Sequence, residues 1–160
     1  MNKKTVLTFV GKSFAKKGFR FYYQGKNQGC TTDCRLYQTC QGNLESGNVY
    51  EIIEIIKSHT IEPKTHECAK GYHEEEMVLV RVQIPETFVS MRNKDIYEGS
   101  VVQYTPMVCD AQDCPNYGIC VPEIMVRAGE KIVVKEKLDR INNCVKGESI
   151  SKVRIEKKKD

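Results

Sequence analysis

Eight cysteines arranged twice in one pattern constrain this chain more than any other feature. Cys30, Cys34, Cys40 and Cys68 are spaced C-x3-C-x5-C-x27-C, and Cys109, Cys114, Cys120 and Cys144 are spaced C-x4-C-x5-C-x23-C. Three close cysteines and a distant fourth thus occur twice in the same order. Asp33 and Asp113 each precede the middle cysteine of a triplet, and Tyr37 and Tyr117 each follow it by three residues. Each triplet leads to a glycine and a β-rich run, at Gly47–Ile56 and at Gly129–Lys135. The lone cysteines then open Cys68-Ala-Lys-Gly71 and Cys144-Val-Lys-Gly147, and strand-like runs follow at Met77–Ile84 and Ile150–Ile155. So many aligned features mark an internal duplication.

The apolar runs are rich in Val, Ile and Tyr and partly alternate, as in Val80-Arg-Val-Gln-Ile84, Val153-Arg-Ile155 and Phe19-Arg-Phe21, which predicts strands. Helical periodicity is confined to short candidates at Ser13–Lys17 and just after Pro122. The expected fold is mainly β: two small β units, each organised around a four-cysteine metal site, with few or short helices. Each repeat reads strand, triplet, strand, lone cysteine, strand. The first repeat occupies residues 1–85, a linker bounded by Pro85 and Gly99 occupies 86–99, and the second repeat occupies 100–160.

The 25 Lys and Arg outnumber the 21 Asp and Glu, and the excess is uneven. Lys3, Lys4, Lys12, Lys16, Lys17, Arg20 and Lys26 fall in residues 1–29, which hold no acid, and Lys152, Arg154, Lys157, Lys158 and Lys159 close the chain. Basic ends permit contact with a polyanion. No apolar run approaches the roughly 20 residues of a membrane-spanning helix, and Thr5–Val10 reads as a strand rather than a secretory signal. The expectation is therefore a cytoplasmic protein with no membrane partner. In a reducing compartment, eight cysteines point to metal ligation ahead of disulfides.

Four cysteines per repeat suffice to close a tetrahedral zinc site or to hold a [4Fe–4S] cluster. Repeats this small bury little apolar surface, and bound metal supplies folding free energy. Structural zinc usually takes two pairs of cysteines two to four residues apart, whereas here three ligands wrap one object and a fourth arrives from afar. That favours two [4Fe–4S] clusters, with two zinc ions as the alternative. Arg35, Lys70, Arg127 and Lys146 lie close enough in sequence to offset thiolate charge. His59, His66 and His73 flank Cys68 but have no counterpart in the second repeat, so His66 is at most an alternate ligand.

The first triplet followed by Cys40-Gln-Gly-Asn-Leu-Glu-Ser-Gly-Asn-Val-Tyr50, the segment Cys114-Pro-Asn-Tyr-Gly-Ile-Cys120 and the two distant cysteines together resemble uncharacterised archaeal protein family 0179. The likeness covers most of the chain in the same order. It implies an archaeal, cytosolic, metal-binding protein and supplies no reaction.

No phosphate-binding loop and no Ser/His/Asp set is suggested by spacing, and eight ligating cysteines leave none as a nucleophile. The first functional expectation is a redox or accessory component working with a protein or redox partner. The alternative is a zinc-stabilised module for nucleic acid or the ribosome. There Lys12, Lys16, Lys17, Arg20 and Lys26 would hold phosphate, and interleaved rings (Phe14, Phe19, Phe21, Tyr22, Tyr23) would stack on bases. Phe19 and Phe21, alternating with Arg20, are expected to face a core instead.

Overall fold

The computed structural model describes residues 4–57, 65–66, 68, 75–122 and 124–158. The chain divides into two units, Met1–Pro85 and Glu86–Asp160, each built on one antiparallel sheet. The first sheet contains β1 (Thr5–Gly11), β2 (Arg20–Tyr22), β3 (Val49–Ile55), the short β4 (Thr65–His66) and β5 (Met77–Gln83). Its order is β1-β5-β3-β2, with β4 added against β5. The second sheet contains β6 (Thr87–Arg92), β7 (Val101–Gln103), β8 (Lys131–Ile141) and β9 (Ile150–Lys157), in the order β6-β9-β8-β7. The two orders are the same, with the last strand of each unit lying between the first and the third.

That position explains the sequence of β5. A strand with neighbours on both edges and cover on both faces reads as a continuous apolar run, and Met77, Val78, Leu79, Val80 and Val82 are all buried. Strand β9 alternates instead, with Ser151, Val153 and Ile155 buried and Lys152 and Arg154 turned outward. Tyr50, Ile52, Val78, Val80 and Val82 form the first core, against which Phe19, Phe21 and Tyr23 pack. Val89, Tyr104, Ile132, Val134, Val153 and Ile155 form most of the second.

Two expectations need correction. Residues 86–99 are not a linker, because they carry β6, paired with β9 from Thr87↔Ile155 to Arg92↔Ile150, and then a 3₁₀ turn at Asn93–Asp95. Pro85 and Gly99 bound an opening strand and its turn, the counterpart of β1 and the 3₁₀ turn at Lys12–Phe14. The helix expected after Pro122 is absent from the described residues there, and the α-helical turn, α1 (Tyr117–Cys120), lies ahead of it. In the first unit, the matching stretch Gln38–Gly42 is a π-helical turn.

The duplication extends to individual hydrogen bonds. Gly18 N–H donates to Ile52 O at 2.7 Å, and Gly99 N–H donates to Val134 O at 2.7 Å. Tyr23 and Tyr104 each accept from a glycine, Gly47 and Gly129, at 2.8 Å. A register shift follows Ile52 in β3 and Val134 in β8, and both mark the same bulge. Just past it, Arg81 pairs with Glu54 at 2.9 Å, and Arg154 pairs with Glu136 at 3.6 Å.

Gly47 and Gly129 turn the chain into β3 and β8 with φ of +89° and +86°. A Cβ on either would meet nothing within 4 Å, so an alanine there meets backbone strain alone. We expect Gly129→Ala to lower stability by about 1–2 kcal/mol. Gly47→Ala should cost a similar amount, and denaturant midpoints measure both.

Candidate metal centres

Each triplet is shaped by tight turns that the sheet then anchors. In the first unit, Cys34 N–H donates to Thr31 O at 3.0 Å, Tyr37 N–H to Cys34 O at 3.0 Å and Cys40 N–H to Leu36 O at 2.8 Å. In the second, Cys114 donates to Ala111 at 2.9 Å, Tyr117 to Cys114 at 3.0 Å and Cys120 to Asn116 at 3.1 Å. Successive turns curl the chain so that all three cysteines stay near one another. The helical turn carrying the third cysteine packs on the opening strand of its unit. Asn43 Nδ2 donates to Leu7 O on β1 at 2.9 Å, and Thr8 Oγ1 reaches Cys40 O at 3.4 Å. In the second unit, Ser90 Oγ on β6 donates to the Cys120 sulfur itself at 2.9 Å.

The fourth cysteine joins each group from the far side of a strand. Cys109, Cys114, Cys120 and Cys144 line one small cavity, closed by Tyr117, Ile141 and Ile150. Asn116 Nδ2 donates to Asn143 Oδ1 at 3.1 Å and so ties the triplet loop to the turn that presents Cys144. In the first unit, burial and then the charges of Cys34, Cys30 and Cys68 push the Cys40 thiol up to about 11. Burial raises Cys120 too. The Ser90 hydrogen bond opposes that rise, and Cys109, Cys114 and Cys144 add to it. Four thiols that discourage one another's ionisation form a donor set that a bound cation relieves. Among the described residues, no cysteine forms a disulfide, and no group of three or more His, Cys, Asp or Glu side chains stands in a geometry that would hold a single metal ion.

Seven of the eight cysteines are half-buried and Cys120 is buried, so all are held within the fold rather than on a free surface. Lys146 pairs with Asp110 at 2.8 Å, and that contact raises the lysine and lowers the carboxyl. Cys109 and Cys144 act on Lys146 in the same direction, so this exposed cation lies within electrostatic reach of the second group. Arg35 and Arg127 are exposed. Lys70, His59 and His73 lie outside the described residues, as does the side chain of His66, whose backbone pairs with Met77.

The basic segment is less available than its sequence suggests. Arg20 pairs with Glu51 at 3.1 Å and Lys12 with Glu76 at 3.9 Å, while Lys16, Lys17 and Lys26 are exposed. Phe19, Phe21 and Tyr23 belong to the core, and Phe21 stacks on Tyr50 at 6.0 Å. Among the segment's rings, only Phe14 is exposed. At the other end, Arg154 and Lys157 face Glu136, Glu156 and Glu130.

Three residues of these surroundings were silent in the sequence. Ser90 and Tyr104 sit among strand and loop residues with no motif around them, and Gln41 lies in the Cys40-Gln-Gly segment with nothing to mark its side chain as a contact. Gln41 accepts the Tyr23 hydroxyl at 2.7 Å and points its amide at the Cys30 sulfur at 3.9 Å. The Tyr104 hydroxyl is buried with no hydrogen-bond partner among the described residues.

Among the described residues, no helix is long and apolar enough to cross a membrane. No solved structure matches the chain. The UPF0179 protein of Methanocaldococcus jannaschii is 32% identical over 156 residues, covering 98% of this chain and 97% of the relative. That of Methanosarcina mazei is 31% identical, covering 94% and 95%, and that of Methanobrevibacter smithii is 30% identical, covering 94% and 97%. A family model described as an uncharacterised protein family matches residues 6–155, and with these archaeal relatives it places the chain in that family, UPF0179.

Proposed function

We propose that each unit carries a metal centre on its four cysteines, most simply a [4Fe–4S] cluster, and that the protein serves as a redox or accessory component. The observation that carries this reading is that the same turns curl three cysteines together in both halves, with a fourth in electrostatic reach of the third. Cys30, Cys34, Cys40 and Cys68 would hold one cluster, and Cys109, Cys114, Cys120 and Cys144 the other. Two features support it: four thiols whose charges oppose one another, and, in the second unit, an orphaned buried hydroxyl at Tyr104 that Cys120 acts on. A bound cluster supplies a one-electron couple. The chain's own part is to fix the ligands, shield them with Ile141 and Ile150, and place hydrogen-bond donors near sulfur.

Protein purified without air should contain about eight irons and eight acid-labile sulfides, with a brown band that bleaches on reduction. Two zincs and no sulfide would replace the clusters with structural ions, and neither metal would end the reading.

A nucleic-acid role keeps one favourable observation, the exposed ring of Phe14 among exposed Lys12, Lys16 and Lys17. On that second reading, Lys16→Glu with Lys17→Glu abolishes retention of RNA and leaves metal content unchanged. Retention that survives both changes rules it out.

A further inference from the structure

The two sites share a scaffold but differ beside the sulfurs. Strand register identifies the residues that correspond. Ile52 and Val134 hold equivalent places, since each accepts from its unit's glycine. Opposite them lie Val82 and Ile155, whose partners on the opening strands are Val6 and Thr87. Three residues further along, Phe9 corresponds to Ser90. A ring without a hydroxyl in one unit thus stands where the other has a hydroxyl bonded to Cys120 at 2.9 Å.

A second difference lies next to the third cysteine. Gln41 follows Cys40 and takes the Tyr23 hydroxyl at 2.7 Å. Val121 follows Cys120 and has no side-chain acceptor to offer, and Tyr104, which occupies the place of Tyr23, keeps a buried hydroxyl without a partner among the described residues. Ser90 and Tyr104 share the wall of one cavity, and Cys120 acts on the Tyr104 hydroxyl electrostatically. Leaving a buried donor unsatisfied costs about 1–3 kcal/mol, which an acceptor in the site recovers. In the first unit, by contrast, the Gln41 amide is 3.9 Å from the Cys30 sulfur.

We propose that Ser90 is a tuning residue for the second site, donating to the Cys120 thiolate with Tyr104 as a further donor, and that the second cluster is therefore the higher-potential member of an unequal pair. The inference rests on the cluster reading above. Reduction adds one negative charge to a cluster, and a donor to its sulfur stabilises the more negative state, so the potential rises. Electrons delivered to the protein settle first on the second unit.

The test is a potentiometric titration of anaerobically purified protein, followed by visible absorption and electron paramagnetic resonance, after iron and sulfide have been counted. Wild type should titrate in two waves. Ser90→Ala should lower the upper wave by about 59 mV, a tenfold change for a one-electron couple, and leave the lower wave in place. Ser90→Thr, which keeps the hydroxyl, should restore it. Val121→Gln rebuilds the first unit's arrangement by giving Tyr104 an acceptor and should also lower the upper wave. Because Val121 is half-buried beside a loop, this variant tests the idea even if Ser90→Ala fails to assemble. Two waves unmoved by both Ser90→Ala and Val121→Gln, or a single wave in wild type, would overturn the inference while the clusters stand. Protein lacking iron and sulfide would overturn the cluster reading, and this inference with it.

Discussion

With a cluster in each unit, as proposed, Cys40→Ala should halve the iron and sulfide of the purified protein and unfold the first unit, and Cys120→Ala should do the same to the second. The duplication makes each variant the other's control. Metal binding to a four-thiolate site contributes about 10 kcal/mol or more of apparent folding free energy in small zinc domains, against total domain stabilities of about 5–15 kcal/mol. Each unit here has a modest core, so loss of its centre should remove most of its stability. The third cysteine is the informative position in each triplet, because its helical turn packs directly on the opening strand. Iron and sulfide analysis with circular dichroism of each variant reads the outcome. Full metal content in Cys40→Ala would remove the first site from the account.

Ile52→Ala and Ile132→Ala should each cost about 2–5 kcal/mol, the range for deleting a fully buried branched side chain. Both isoleucines are 0% exposed, each at the middle of its unit's core. Ile52 lies opposite Val82 just before the bulge, and Ile132 lies opposite Lys157 where β8 meets β9. Neighbours held by sheet hydrogen bonds cannot collapse into the space vacated, so the cavity term should be near its upper range. Denaturant melts of metal-loaded protein measure the loss, and a change below about 1 kcal/mol would mean that the core relaxes around the gap.

Much of this architecture was legible because cysteines and glycines are rare enough to align. Met77–Gln83 and Ile150–Lys157 announced themselves by apolar runs and alternation, and both are strands. The opening strand of the second unit was hidden. Thr87–Arg92 lies between Pro85 and Gly99, residues that punctuate a linker and a strand edge alike, and only pairing with β9 separates the two. The aromatic segment was partly legible, since alternation about Arg20 already assigned Phe19 and Phe21 to a core. Five rings among cations resemble a stacking platform, yet a strand turns alternate rings inward, and Phe19, Phe21 and Tyr23 complete the core. Ser90 was invisible for a simpler reason. A serine in a strand carries no local signal, and its role exists only through the sulfur that a distant turn delivers to it.

The strand order also sets a timetable for synthesis. In each unit the last strand inserts between the first and the third, so an emerging chain holds β1 and β3, or β6 and β8, with no partner yet between them. The fourth cysteine of the unit leaves the ribosome shortly before that strand. Completion of the cysteine set and sheet closure therefore fall together, late, and after two open edges have waited exposed. Such long-range closure is slow to fold, and a metal that captures the triplet early would hold the half-made unit against misassociation.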